Sequence, residues 1–528
     1  MPPRVAYFCM EFGLSETFPI YAGGLGILAG DFIKSAHDLA LPVVGVGLRW
    51  LHGYSRQRIL PDGMPVDDFP TYRAEFLQDT GARVRVVVGA REVELRVWHT
   101  EAWGNRPLYL LEPVAPEDAW ITRRLYEPTL DCRLAQEILL GIGGVRALRK
   151  LGIDVDVYHF NEGHAVFGGI EMVAERMAAG AEFRSAWAAV REQIVFTTHT
   201  PVAAGNEVHA LADVMRLGAG CELVEAELRE IGGDPFNMTV AGLRLARRAN
   251  AVSELHGDVS RAMWRDVTDA APILAITNGV HQPTWQDARI REAVGSPVAL
   301  WTAHEAMKQE LLQAVHARTG TRLSPDVLTV GFARRAAGYK RSDLVFGDPA
   351  RVEPLLHGRR LQLIFAGKAH PDDAQGRRIV ANLVAMARRY PEAVAFVPDY
   401  DMAVARLLTR GADVWLNNPI RPLEACGTSG MKAALNGLPN LSVLDGWWAE
   451  ACRHGENGWA IGDETAGAAD QDARDREALY RTIEEEVLPA YANRERWTGL
   501  MRASIATADA QFTSDRMVRD YYTRLYVP

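Results

Sequence analysis

Cysteine is scarce in this sequence of 528 residues, which has only Cys9, Cys132, Cys221, Cys426 and Cys452. Their number is odd, they lie far apart and no CxxC pair occurs, so neither a disulfide framework nor a zinc ribbon is indicated. Long uncharged apolar runs are missing as well. The opening Met1-Pro2-Pro3-Arg4 leads into a short strand-like stretch with Glu11 soon after. No membrane span and no secretory leader is therefore expected, and a cytoplasmic location is the natural reading. An excess of positive charge is also lacking. The 58 Lys and Arg against 67 Asp and Glu leave a net charge of −9, which argues against a nucleic-acid partner. What remains is an ordinary globular composition, 48% hydrophobic with 46 Gly and 27 Pro. The length suits two large domains or three smaller ones.

Short apolar runs alternate with segments of helical period. Strands are expected at 5–8, 43–48, 155–160, 193–198 and 273–277, and again at 327–332, 362–366, 393–397 and 414–416. Between the later runs, 377–389 places Ile379, Leu383, Val384 and Met386 on one helical face, and 403–408 reads as another helix. This alternation predicts an α/β fold of βαβ units with mostly parallel sheets, in two doubly wound domains. The expected domains are 1–280 and 281–528, divided after Asn278-Gly279, where His281-Gln282-Pro283 breaks the pattern. The tail 513–526 carries Met517, Val518, Tyr521, Tyr522 and Leu525 as a helical stripe able to pack back on the first domain.

In open α/β sheets, ligands bind beyond the carboxyl ends of the strands, and polar residues are concentrated there. After the strand ending near Phe332 come Arg334, Arg335, Lys340 and Arg341, four cations in eight residues at a strand-to-helix turn. They could hold phosphates, with a solvated basic turn as the competing reading. Glu424-Ala425-Cys426-Gly427-Thr428-Ser429-Gly430-Met431-Lys432 offers two glycines, two hydroxyls and a lysine before a helix. It resembles an anion cradle, although the Walker spacing is absent. A lysine shielded from water loses pKa and becomes a usable amine for Schiff-base chemistry. The third cluster, Tyr21-Ala22-Gly23-Gly24-Leu25-Gly26, is a Gly-rich turn without the dinucleotide fingerprint. Asn161-Glu162-Gly163-His164, Thr198-His199-Thr200 and Thr277-Asn278-Gly279 are polar strand ends suited to sugar hydroxyls. A metal reading of His159, His164 and His199 has no HExxH-like spacing behind it, so no metal is expected.

Taken in order, these segments resemble the glycogen (α-glucan) phosphorylase family. The resemblance runs from Glu11-Phe12-Gly13-Leu14 and the Gly-rich turn through Thr198-His199-Thr200 and Thr277-Asn278-Gly279 to Trp285. It continues through Tyr339-Lys340-Arg341, Gly367-Lys368-Ala369, Glu424 to Lys432, Leu444-Asp445-Gly446 and Ser514-Asp515-Arg516. It implies two Rossmann-like domains facing a central cleft, the glycosyltransferase B architecture, with pyridoxal 5'-phosphate as cofactor. By this resemblance Lys432 holds the cofactor aldehyde. Gly24, Arg334, Thr428 and Ser429 surround its phosphate, and Trp285 and Tyr400 the rest of it. Arg335 and Lys340 bind substrate phosphate, while His199, His164, Asn278, Glu424 and Gly427 bind the glucosyl unit. The implied reaction is reversible phosphorolysis of glycogen or maltodextrin by inorganic phosphate to α-glucose-1-phosphate with retention. Family members are commonly homodimers.

Some positions depart from the family pattern. Arg334 stands where Lys is usual, Ala337-Gly338 replaces a His-Glu pair, and Cys426 replaces a Ser in the sugar-binding loop. The Asp445-Gly446-Trp447-Trp448 stretch is similar to the shorter prokaryotic members. The N-terminal phosphorylation segment of the animal enzymes is not seen, so control by phosphorylation or AMP is not carried over. The alternatives are a nucleotide-sugar-dependent glucan synthase of the same architecture and an inactive glucan-binding homologue. The synthase reading lacks the Lys of a Lys-Thr-Gly-Gly-Leu motif. The inactive reading must explain why Lys432, Arg335, Lys340, His199 and Glu424 are all present.

Overall fold

The strand Val5–Phe8 is buried along its whole length, as a strand covered on both faces of a parallel sheet must be. In the computed structural model, which describes residues 1–127, 129–202, 205–463 and 470–527, it lies inside a nine-stranded sheet. The spatial order is Ile273–Ala275, Arg248–Ala251, Ile194–Thr197, Val157–Asn161, Val5–Phe8, Val43–Leu48, Leu108–Pro113, Arg91–Thr100 and Gln78–Val88. All neighbours pair in parallel as far as Leu108–Pro113, and the last two strands extend the sheet antiparallel. Those two alternate buried and more exposed positions, which leaves no continuous apolar run, and sequence reading passed over them. The winding reverses between Val5–Phe8 and Val157–Asn161, so the crevice rule points to the loops after these strands.

A second sheet has six strands, all parallel: Val394–Val397, Leu361–Ala366, Leu328–Ala333, Val414–Asn417, Asn440–Val443 and Gly458–Ile461. Its winding reverses between Leu328–Ala333 and Val414–Asn417. Asn440–Val443 is hidden from a search for apolar runs because Asn440 and Ser442 are polar yet buried. The Asn440 amide is satisfied by the carbonyl of Gly430 at 3.1 Å.

Each sheet belongs to one compact unit. The first unit is Met1–Tyr54, Phe69–Thr277 and Ser514–Pro528, and the second is Ser55–Asp68 with Asn278–Thr513. A single boundary at 280 therefore needs correction for Ser55–Asp68, a hairpin of Arg56–Ile59 and Pro65–Asp68. Gln57 explains its membership, donating to the carbonyl of Ala369 and accepting the backbone N–H of Ala369, both within the second unit. The tail forms a helix at Ser514–Asp520 followed by a wider turn at Tyr521–Leu525. Ser514 Oγ lies 2.6 Å from Ser35 Oγ, and the Tyr526 hydroxyl lies 2.8 Å from His159 Nδ1.

A buried ion pair fastens the long helix Pro297–Thr319 to the second sheet. Asp413 accepts from Lys308 Nζ at 2.6 Å and from the backbone N–H of Thr329 at 2.7 Å, and lies 2.8 Å from His304 Nε2. Lys308 also donates to the carbonyl of Val327 and to the Tyr491 hydroxyl. Removing one partner of such a pair leaves an uncompensated charge away from water. Asp413→Ala should therefore destabilise the second unit by about 3–5 kcal/mol, read as a lowered urea midpoint. A loss below about 1 kcal/mol would show that Lys308 is already solvated.

Candidate active site

In the second unit, the polar residues gather where the winding reverses. Arg334 follows the strand Leu328–Ala333, and Lys340 ends the short turn Gly338–Lys340 after it. Glu424 lies on the loop after Val414–Asn417 and spans both cations. One carboxylate oxygen is 2.8 Å from Arg334 Nη2 and the other 3.0 Å from Lys340 Nζ. All three side chains are nearly shielded from water, at 6%, 9% and 11% exposure for Arg334, Lys340 and Glu424. Burial alone would push the Glu424 carboxyl up, but Arg334 and Lys340 outweigh it and hold it at about 2.

The backbone of this loop is fixed from the end of the strand Asn440–Val443. Asp445 accepts the backbone N–H of Glu424 at 2.9 Å and that of Gly446 at 2.8 Å. Burial pushes the Asp445 carboxyl up to about 7, with those two donors working against the shift and the Glu424 charge adding to it. Gly427 has a φ of +82°, where a side chain would be strained, and its missing Cβ would sit 3.2 Å from Arg334 Nη2. The guanidinium thus lies against the start of the helix Thr428–Leu435, whose first turn holds no acidic residue and no side-chain cap. Such a terminus favours an anion.

Lys432 lies on the same helix and is buried, its Nζ 3.6 Å from the centroid of the fully buried Trp285 ring. Asn436 holds this arrangement by donating to the carbonyls of Trp285 and Lys432 and accepting the backbone N–H of Asp287. Ser429 Oγ accepts from Trp415 Nε1 at 3.3 Å. Burial pushes the Tyr400 hydroxyl pKa up, and the Arg334 charge partly offsets the rise. The four-cation cluster read from sequence divides. Arg341 is committed to Asp472, Asp475 and the carbonyls of Asn418 and Pro419, Arg334 and Lys340 face Glu424, and Arg335 is exposed. Asn278 is buried, and Cys426 accepts the backbone N–H of Trp447 through its carbonyl.

In the first unit, Glu11 and Glu162 organise backbone rather than cations. Glu11 accepts the backbone N–H groups of Ala22 and Gly23, and its other oxygen accepts the Tyr126 hydroxyl. This shapes the turn ahead of the helix Gly24–Asp38, and open space surrounds the Cβ position of Gly24. Glu162, at a φ of +73°, accepts the backbone N–H of His199 and the hydroxyl of Thr200. His199 Nε2 lies 2.6 Å from Asn161 Oδ1. Burial, helped by neighbouring histidines, pushes the His199 pKa down to about 3. The ring is then neutral at neutral pH, and donation from Nε2 to Asn161 leaves Nδ1 as an acceptor. His164 is likewise lowered to about 3 by burial and Arg133.

His159 is structural, with Thr197 on one ring nitrogen and Tyr526 on the other. Among the described residues, one group, Glu137, Glu207 and His209, has ligand atoms close enough to share a metal. Arg133 already holds Glu207 there with two hydrogen bonds at 2.6 and 2.8 Å. Glu11 in the first unit, and Asp445 and Asn436 in the second, fix the local backbone although their roles were not read from sequence. The signal available was their place just beyond strand or helix ends.

The model of the carbohydrate phosphorylase family matches residues 298–461. The chain is 39% identical to the maltodextrin phosphorylase of Thermococcus litoralis, covering 99% of this chain and 70% of that protein. It is 41% identical to the glycogen phosphorylase of Mycobacterium bovis, covering 100% and 71%, and 37% identical to that of Aquifex aeolicus, covering 99% and 86%.

The buried histidines make a pH prediction. His159 and His199 both titrate at about 3 in the folded chain, against about 6.5 for an unfolded histidine. The unfolded chain therefore binds more protons as pH falls from about 6.5 to about 3, and folding stability contributed by these rings is lost over that window. In a histidine NMR titration neither ring should protonate between pH 8 and pH 5. A midpoint above pH 5 for either ring would contradict this.

Proposed function

The chain belongs to the carbohydrate phosphorylase family, and from that premise we propose that it is an α-glucan phosphorylase of glycosyltransferase B type. It would transfer the terminal α-1,4-linked glucose of glycogen or maltodextrin to inorganic phosphate, giving α-glucose-1-phosphate with retention. One observation carries this reading. Where the second sheet reverses its winding, two buried cations share Glu424, and Arg334 lies against the uncapped start of the helix that carries the buried Lys432 amine. The nucleotide-sugar synthase alternative is not favoured beside relatives of these names.

The donor set fits pyridoxal 5'-phosphate. Lys432, an amine packed on the Trp285 ring, would hold its aldehyde, with Trp285 and Tyr400 along the ring. Arg334 and the first turn of Thr428–Leu435, with the Ser429 hydroxyl, would hold its phosphate, as would Gly24 at the open turn of the first unit. Bound there, the phosphate monoester supplies a group that titrates near neutrality and can give and take a proton. Lys340 and Arg335 would bind and orient the substrate phosphate beside it. Two adjacent phosphoryl groups repel, so shielded cations are needed to hold both. His199 Nδ1, His164, Asn278, Glu424 and the backbone at Gly427 would orient the glucosyl hydroxyls.

The decisive assay is release of glucose-1-phosphate from maltodextrin that depends on phosphate and yields no free glucose. Lys432→Ala should lose bound cofactor and at least a thousandfold of turnover while its far-ultraviolet circular dichroism is unchanged. A variant that keeps both cofactor and turnover would refute the assignment of Lys432.

A further inference from the structure

Two helices of the second unit enclose a cavity of about 220 Å³ that the proposed reaction does not use. Pro297–Thr319 contributes Met307 and Glu310, and Met402–Gly411 contributes Ala403, Arg406, Leu407 and Arg410. The volume is below the roughly 300–1,000 Å³ of a site for a drug-sized ligand, so a small molecule fits it. Its walls are of two kinds. Met307, Ala403 and Leu407 are apolar, whereas Arg406 and Arg410 bring two guanidinium groups to one helix face. Like charges at that spacing, about 5–6 Å between Cβ atoms, repel each other.

The acids beside the cavity are already engaged. Glu310 gives its two oxygens to Arg289, at 2.6 and 3.0 Å. Asp287 accepts from Arg289 Nε at 2.9 Å and from Arg410 Nη1 at 3.2 Å. Arg410 also donates through Nε to the carbonyl of Trp285 at 3.2 Å, and its Nη2 makes no hydrogen bond among the described residues. Burial pushes the Arg410 pKa down, with Asp287 opposing the shift and Arg406 and Arg289 adding to it. An anion in the cavity would thus find an unfilled planar donor and relieve the repulsion between arginines.

We propose that this cavity binds a small phosphate monoester with an apolar body, at a site separate from the candidate active site. The phosphate takes N–H groups of Arg406 and Arg410, and the body lies on Met307, Ala403 and Leu407. Three terminal oxygens can span two guanidinium groups, where the two oxygens of a carboxylate suit one. A bare inorganic anion would leave the apolar wall in contact with water.

The test titrates the holoenzyme calorimetrically with phenyl phosphate, in saturating glucose-1-phosphate to fill the proposed active site. Wild type should bind one equivalent. Arg406→Gln removes one guanidinium and Ala403→Leu fills the cavity without a change of charge, and each should weaken binding at least tenfold. Inorganic phosphate, which lacks the body, and benzoate, which lacks the third oxygen, should each bind at least tenfold more weakly than phenyl phosphate. Glucose-1-phosphate release by Arg406→Gln should stay within twofold of wild type. The inference is overturned if wild type binds no phenyl phosphate, if a folded variant binds it as tightly as wild type, or if either control ligand binds as tightly. It is overturned as well if Arg406→Gln lowers release more than twofold. Arg406→Gln decides by itself if Ala403→Leu does not fold. Absence of release from wild type would defeat the proposed function and leave the outcome of the titrations standing, because neither substitution lies in the candidate active site.

Discussion

Positive charge held away from water at the end of the strand Leu328–Ala333 is the constraint around which the second unit is arranged. Arg334 and Lys340 are both buried, and an isolated buried cation is strongly unfavourable without a counter-charge and hydrogen bonds. Glu424 supplies the charge, Asp445 fixes the backbone that carries Glu424, and Gly427 allows the guanidinium to approach the helix that bears Lys432. Under the proposed function, the same shielding that makes the cations expensive to leave unpaired would make them effective toward phosphoryl groups. Stability and chemistry draw on one set of contacts.

The first unit solves a different problem with the same residue type. Its buried Glu11 and Glu162 accept backbone N–H groups and hydroxyls, so that a tight turn and a strand end are held in fixed conformations. Beside them His199 is kept uncharged by burial and aligned by Asn161. Neutral donors and acceptors suit hydroxyls, just as shielded cations suit phosphate.

Most of the parallel framework was legible in the sequence because buried strands read as apolar runs. The strands Val5–Phe8 and Val43–Leu48 fall at the expected bounds, and seven more lie within a few residues of theirs. The apolar run Leu108–Pro113 was passed over although the signal is present there, and so were Arg248–Ala251 and Gly458–Ile461; other strands were lost where the signal fails. Gln78–Val88 and Arg91–Thr100 alternate, and Asn440–Val443 carries buried polar side chains whose partners lie elsewhere in the chain. The hairpin Ser55–Asp68 sits within the first unit's stretch of sequence, yet its glutamine is bonded to Ala369.

For the site, the sequence by itself determined which chemistry is available: cations after one strand, a lysine and small residues after another, amides and imidazoles after three more. Those signals are local, because residue type and nearness to a strand end are properties of short segments. Only the tertiary structure decided how the members divide. It assigns Arg341 to Asp472 and Asp475, and it places Glu424 across Arg334 and Lys340. It sets Trp285 against an amine nearly 150 residues later in the chain. Partnership between charges depends on distance and shielding, and both are set by the way separate strands are brought side by side in the folded chain.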